Sequence, residues 1–587
     1  MRITYNDKLN KLLNPYLESL LKEKSSLEPE TLTLFDLFME DLDMGGRYGI
    51  FSEILEPRLE EIIREENIES IANLMDGRLN TLFRYMLGDE FAGLFHTYLQ
   101  LEARCPHTIG YDRRAQRSAH PSNHLDHARD AWLQFLKLRA TGFSVEAILK
   151  GGNTPEDTEE FSGYMNSSYW LAAQIAQGNE KVIEYLNQVL TSENNVHRLQ
   201  RWYLHAIAIS GHRPLLELEG KLLLAAKLQE GLRQAIVETM DEGCPESYLY
   251  LFSIIYNNGL QRFASVKRSI AVCTGIGEQD SSERITNKYV ELIWNFLNHP
   301  ETARNTLQSK DTVELYLALW SIGFYDTDEI RAIVPDIIRK GAKHQIQTLL
   351  YFLRCTQSSQ MNHLISKDAF EVWHDDPKVV AAILPLYMDG LYLSRYSDNK
   401  EAPTLSDYFE TPEEAVRHYG YLKQVYQSIS AKEVYSSYVF PWDCVVLTRS
   451  DVVLKMAYIA WMTNDIRLRE ELCTYLPALE SYNRASYIGI VLARTESKVE
   501  QEYVLQSLGD RSADIRDEAY KVLSEMSLSP EQYQHIEELL RFKYSEMRIN
   551  AINLLMKQPE AQLAASIRRL LSDKNAERRL AGLDMMK

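Results

Sequence analysis

Leu508-Gly-Asp-Arg-Ser-Ala-Asp-Ile-Arg516-Asp-Glu-Ala519-Tyr-Lys-Val-Leu523 is followed by Leu540-Arg-Phe-Lys-Tyr-Ser-Glu-Met-Arg548-Ile-Asn-Ala551-Ile-Asn-Leu-Leu555, and then by Leu571-Ser-Asp-Lys-Asn-Ala-Glu-Arg578-Arg-Leu-Ala581-Gly-Leu-Asp-Met585. In each stretch an Arg is followed three residues later by Ala and seven later by Leu or Met. The Arg positions step by 32 and then 30 residues. Self-similarity at such a period marks stacked supersecondary units. Ala and Leu four apart share one helix face, and the small Ala suits two helices that approach closely. The polar turns before each Arg (Asp510-Arg-Ser, Ser572-Asp-Lys-Asn) supply helix caps. A fainter copy opens one period earlier, at Arg484 in Ser481-Tyr-Asn-Arg-Ala-Ser-Tyr487.

This pattern resembles the HEAT repeat, a pair of antiparallel helices with an Asp in the turn and an Arg opening the second helix. The resemblance implies an all-α fold, a right-handed α-α superhelix of the HEAT or armadillo kind. It also implies that Arg516, Arg548 and Arg578 brace neighbouring turns, with Ala519, Ala551 and Ala581 in the close helix contacts.

Upstream the periodicity stays helical while the consensus fades. Amphipathic segments run over Leu59–Leu74, His127–Ala140, Glu180–Leu190, Leu215–Met240, Asn287–Leu297, Thr312–Trp320, Asp328–Lys340 and Gln345–Cys355. An extended insertion is expected at 434–447, where β-formers cluster. Two polar, proline-containing stretches suggest breaks, at 105–121 and 393–412. The expected organisation is an acidic helical region (1–104), a basic, His-rich loop (105–121), a degenerate repeat array (122–392), a linker (393–412) and C-terminal repeats (413–587). The last stretch, Ala581 to Lys587, stops in mid-pattern with Leu583, Met585 and Met586 in its final turns. An array of this kind closes with a polar cap. Continuation beyond Lys587, or an end-to-end contact through the uncapped last helix, is therefore expected.

Leu222-Leu-Leu-Ala-Ala-Lys-Leu-Gln-Glu-Gly-Leu-Arg-Gln-Ala-Ile236 and Leu260-Gln-Arg-Phe-Ala-Ser-Val-Lys-Arg268 are similar to the N-terminal helical part of large bacterial proteins. Those proteins carry HEAT-like repeats and end in a domain of unknown function, sometimes labelled molybdate-regulator-like. This second resemblance implies a bacterial, cytoplasmic origin and a further C-terminal domain. It offers no catalytic residues.

Composition narrows the function. The 587 residues include 64 Lys and Arg against 83 Asp and Glu, a net charge of −19. That balance disfavours a nucleic-acid binder, because phosphate neutralisation needs clustered cations. Residues 501–587 carry thirteen basic and fourteen acidic residues, with no basic groove in prospect. No apolar run reaches the ~20 residues that span a bilayer. Six cysteines are dispersed singly, without a C-x-x-C pair, which suits a reducing cytoplasm. Nucleotide loops and nucleophile elbows are absent. No cofactor is expected.

Two local anomalies suggest sites. Residues 107–127 hold Arg113, Arg114 and Arg117, an anion site if they face a helix N-terminus, and His120, His124 and His127, a donor set for a divalent metal. A metal- or phosphate-dependent enzyme centred there is the alternative to a binding role. Against it, these histidines lack the zincin spacing and its Glu, and internal packing explains them equally well. The second anomaly is a run of tyrosines from Tyr408 to Tyr438 followed by Trp442. Tyr421, Tyr426 and Trp442 are the expected protein-binding anchors, since aromatic residues concentrate at interfaces. The reading favours a protein–protein interaction scaffold, the non-catalytic arm of a larger protein, over an enzyme.

Overall fold

The computed structural model describes residues 7–43, 77–105, 135–136, 139–140, 167–191, 199–226, 228–276, 285–325, 327–356, 359–396, 400–431, 435–440, 443–493, 495–542 and 545–587. The fold is all-α. Two compact units divide it, Met1–Ile337 with Tyr351–Ser358, and Ile338–Leu350 with Ser359–Lys587. Among the described residues no helix is long and apolar enough to cross a membrane.

In the first unit, sequence and structure agree closely on several helices. The segments read at 180–190, 287–297 and 312–320 are Glu180–Thr191, Asn287–Asn298 and Thr312–Tyr325. The segment read at Leu215–Met240 is two helices. With α1 (Arg201–Ser210) ahead of them, they are α2 (Arg213–Ala225) and α3 (Glu230–Asp241). The break carries no Gly or Pro. Instead the Arg233 guanidinium donates to the Ala226 carbonyl, satisfying an orphan acceptor at the end of α2. Leu228 stands almost wholly exposed in the turn. With α4 (Pro245–Asn257) the packing alternates, α1 against α3 and α2 against α4, so successive helices fall into two layers. Leu59–Leu74 and most of His127–Ala140 lie outside the described residues, as does all of 107–127.

The second unit takes in the start of the helix Lys343–Thr356, up to Leu350, and from residue 359 on runs through α5 (Ser359–Trp373) and α6 (Pro377–Ile383), then α7 (Pro412–Ser428). Next come β1 (Tyr435–Phe440) and β2 (Asp443–Leu447), an antiparallel hairpin that pairs Tyr435 with Leu447 and rests on α6. This hairpin occupies the extended insertion expected at 434–447. Then follow α8 (Arg449–Thr463), α9 (Ile466–Leu472), α10 (Ser481–Ile490), α11 (Lys498–Ser507), α12 (Ala513–Ser524), α13 (Pro530–Leu539), α14 (Ser545–Leu555), α15 (Glu560–Leu571) and α16 (Ala576–Asp584). Again two layers form, α10·α12·α14 and α9·α11·α13·α15, closed by the hairpins α11·α12, α13·α14 and α15·α16.

The periodic residues sit at the joints of this arrangement. Ala519, Ala551 and Ala581 are 0%, 2% and 0% exposed, so a larger side chain there would have to displace its neighbours. Gly489 on α10 shows the same crowding, since a Cβ there would stand 2.5 Å from Glu518 Oε2 of α12. The arginines reach forward. Arg484 pairs with Asp510 at 3.0 Å, Arg516 with Glu546 at 3.3 Å, and Arg548 with Glu577 at 3.2 Å and Asp584 at 2.6 Å. Arg516 also donates to the carbonyls of Asp510 and Arg511, binding its helix to the preceding turn. Arg578 pairs with Asp573 in its own turn, at 2.6 Å.

Candidate partner-binding surface

Between α6 and α7, among the described residues 384–396 and 400–411, the chain forms turns and one short 3-10 turn, Leu405–Asp407, inside the second unit and across the stretch read as a linker at 393–412. Its lower side is buried and its conformation is held by polar contacts. Met388 adopts φ 51°, a left-handed geometry that costs a side-chain-bearing residue about 1 kcal/mol. Its N–H donates to His363 Nδ1 at 2.8 Å, and His363 Nε2 donates to the Tyr408 carbonyl at 2.9 Å. One ring nitrogen accepts and the other donates, so His363 is the neutral tautomer. Burial agrees with this and lowers its pKa to about 4.

A second buried histidine continues the network. Glu371 can only accept, so His418 Nε2 donates to it at 3.3 Å and His418 Nδ1 accepts from the fully buried Tyr387 hydroxyl at 2.9 Å. The Tyr387 and His418 rings stack at 13°, with Phe370 and Phe409 alongside. Burial brings the His418 pKa down to about 4, against the opposing pull of Glu371 and Glu414.

Glu371, Glu414 and His418 bring one potential ligand atom each within 4.8 Å of one another. Their charges are already matched. Arg417 donates to Glu371 at 2.7 Å, and Lys367, itself 10% exposed, pairs with Glu414 at 3.0 Å. The Glu410 N–H also donates to Glu414, at 2.6 Å. Burial would raise both carboxyls, yet Arg417 at Glu371 and Lys367 at Glu414 outweigh it and hold them below the usual carboxylate range. A divalent cation would have to displace both side-chain cations, so the cluster works as a neutral brace for α5 and α7.

The upper side of the segment is different. Tyr392 and Tyr396 are 67% and 72% exposed. Both are fixed from beneath. Leu393 is buried between them, and Tyr458 of α8 donates to the Leu391 carbonyl at 2.9 Å. The Arg395 N–H donates to Ser486 Oγ on α10, and its guanidinium donates to the Asp514 carbonyl and pairs with the Asp514 and Glu518 carboxylates on α12. The same guanidinium lies 4.8 Å from the centre of the Tyr396 ring and donates to its hydroxyl at 2.7 Å. Tyr482 of α10 completes the patch, its hydroxyl 3.0 Å from that of Tyr392 and 2.9 Å from Ser394 Oγ. Two exposed phenols and a half-buried third thus stand on a rigid base.

Two of the anchors expected from sequence, Tyr421 and Tyr426, lie on α7. Tyr421 stacks on His374 at 4.0 Å and packs against Phe370 and His418. Tyr426 meets Tyr475 edge-on at 4.9 Å, and Arg449 lies over its ring at 4.6 Å. Both rings are half-buried and engaged within the unit. Trp442 lies outside the described residues, as do Arg113, Arg114, Arg117, His120, His124 and His127. The patch that sequence reasoning missed is Tyr392-Leu-Ser-Arg-Tyr396, hidden in a polar stretch.

At the far end of the unit, Leu580, Leu583 and Met586 are about half or more exposed, while Met585 is buried.

Residues 34–587 match DUF5724, described as a family of unknown function. No curated protein and no solved structure matches the chain.

Proposed function

The chain belongs to that family, and we propose that it is a protein-binding scaffold, a HEAT-like right-handed superhelix that works by surface recognition as the non-catalytic arm of a bacterial cytoplasmic protein. Support for the repeat architecture comes from the two-layer helix alternation, the forward-reaching arginines and the buried alanines at matching positions. One observation carries the binding role. Tyr392 and Tyr396 are 67% and 72% exposed although the backbone that bears them is pinned by buried hydrogen bonds. Exposed aromatic rings on a preorganised base lose little conformational entropy on binding, and each anchor of this type is worth about 2 kcal/mol or more in an interface.

The test compares a triple variant with a double variant. Tyr392→Ala, Tyr396→Ala and Tyr482→Ala together should abolish capture of the proteins that the wild-type chain retains from its source cells, at unchanged helicity. Tyr421→Ala and Tyr426→Ala should instead lower the melting temperature, because those rings are packed internally. Full capture by the triple variant would overturn this placement of the binding surface.

A further inference from the structure

We propose that the segment recognised at this surface is basic, with a Lys or Arg side chain laid across the exposed face of Tyr396 beside Tyr392; the inference rests on the scaffold reading and adds the chemistry of the partner. Between Asp389 and Glu414 the chain carries acids at 389, 398, 401, 407, 410, 413 and 414, and bases only at 395 and 400. Arg395 is not available to an incoming anion. Its side chain is 9% exposed and is committed to the Asp514 and Glu518 carboxylates. Asp514 keeps 55% of its own side-chain surface exposed at the rim. The segment is thus acidic on balance by sequence, which disfavours an acidic partner and draws in a cation.

The rings supply the rest. The face of a tyrosine is electron-rich and attracts a cation placed over it. Arg395 already lies over the Tyr396 ring in this way and the Tyr482 ring centre stands 6.5 Å from it, yet Tyr396 keeps 72% of its surface exposed and so has ring surface left for a second cation. The Tyr392 and Tyr482 hydroxyls bond to each other and Ser394 bonds to Tyr482, so these rings are held in place before a ligand arrives. Net charge contributes attraction at longer range, −19 over the whole chain.

Fluorescence anisotropy with labelled hexalysine and labelled hexaglutamate tests this on the full chain, with wild type, Tyr392→Leu/Tyr396→Leu and Tyr392→Phe/Tyr396→Phe. The expected result is hexalysine binding that weakens about tenfold in the Leu pair and less than threefold in the Phe pair, with helicity unchanged. Equal hexalysine binding by wild type and the Leu pair would reduce the attraction to net charge and overturn the proposal. Hexaglutamate binding that is lost in the Leu pair would overturn it too, while leaving the tyrosine surface as a binding site. If neither peptide responds to the Leu pair but cellular capture still needs the tyrosines, the basic partner falls and the scaffold stands. If capture is also indifferent to them, both fall.

Discussion

Glu219 on α2 is wholly buried, and neither carboxylate oxygen has a hydrogen-bond partner. Burial pushes its pKa well above the usual carboxylate value. The folded chain therefore keeps a proton that the unfolded chain gives up, and the first unit loses stability as pH rises past the ordinary carboxyl range. Glu219→Gln should raise the melting temperature at pH 7.5 by about 2–4 °C for each kcal/mol recovered and leave it nearly unchanged at pH 4.5. Identical melts at both pH values would contradict this account. His363 and His418 behave with the opposite sign. Both are buried neutral with pKa values of about 4, so their contribution is complete above pH 6.5 and is lost as pH falls from 6.5 toward 4. A pKa moved from 6.5 to about 4 corresponds to roughly 3 kcal/mol for each ring. His418→Gln should flatten the acid limb of a melting-temperature profile. Sequence gave no warning of these groups, because a lone His or Glu within a helical pattern looks the same on either face until the neighbouring helices are placed.

At the scale of the element, the legible parts were those where pattern and packing say the same thing. The Arg–Ala–Leu spacing forecast α12, α14 and α16 because small residues at the layer contact and polar caps are both local signals. Ala519→Leu should test that contact directly. A large side chain at this fully buried position on α12 should cost about 1–3 kcal/mol, read as a lower denaturation midpoint with unchanged cooperativity. The split between α2 and α3 was illegible because no helix-breaking residue marks it; a side chain from the following helix satisfies the freed carbonyl. The 393–412 stretch misled for the converse reason. Its Pro, Ser and Asp residues read as a linker, while the groups that hold it, His363 at the Tyr408 carbonyl and Ser486 at the Arg395 N–H, lie 45 and 91 residues away in sequence, beyond the reach of any local pattern.

For the whole molecule, the all-α class was readable from scarce Gly and Pro and recurrent amphipathic segments, and the exposed tyrosine patch proposed as the binding surface was not. Surfaces made by tertiary contact, such as Tyr392 meeting Tyr482 across 90 residues of sequence, leave no periodic trace. The two units carry titrating groups of opposite sign, Glu219 in the first and the two histidines in the second. Calorimetry should therefore show transitions that respond differently to pH, one weakened by base and one by acid. Glu219→Gln should shift only the first. A single transition that moves as one block in both variants would show that the units unfold together.

The forward reach of the arginines has a consequence for how the chain is made. Arg484, Arg516 and Arg548 find their acids in the helical pair that comes later, and Arg469 finds Glu500 in the same sense. Arg569 points back to Glu537 and breaks the rule. On a ribosome, where the N-terminal part emerges first, each newly folded hairpin would wait with a guanidinium still short of its carboxylate partner until the next one left the exit tunnel. Assembly would then run in the direction of synthesis, each hairpin offering its successor a charged latch rather than a bare oily edge.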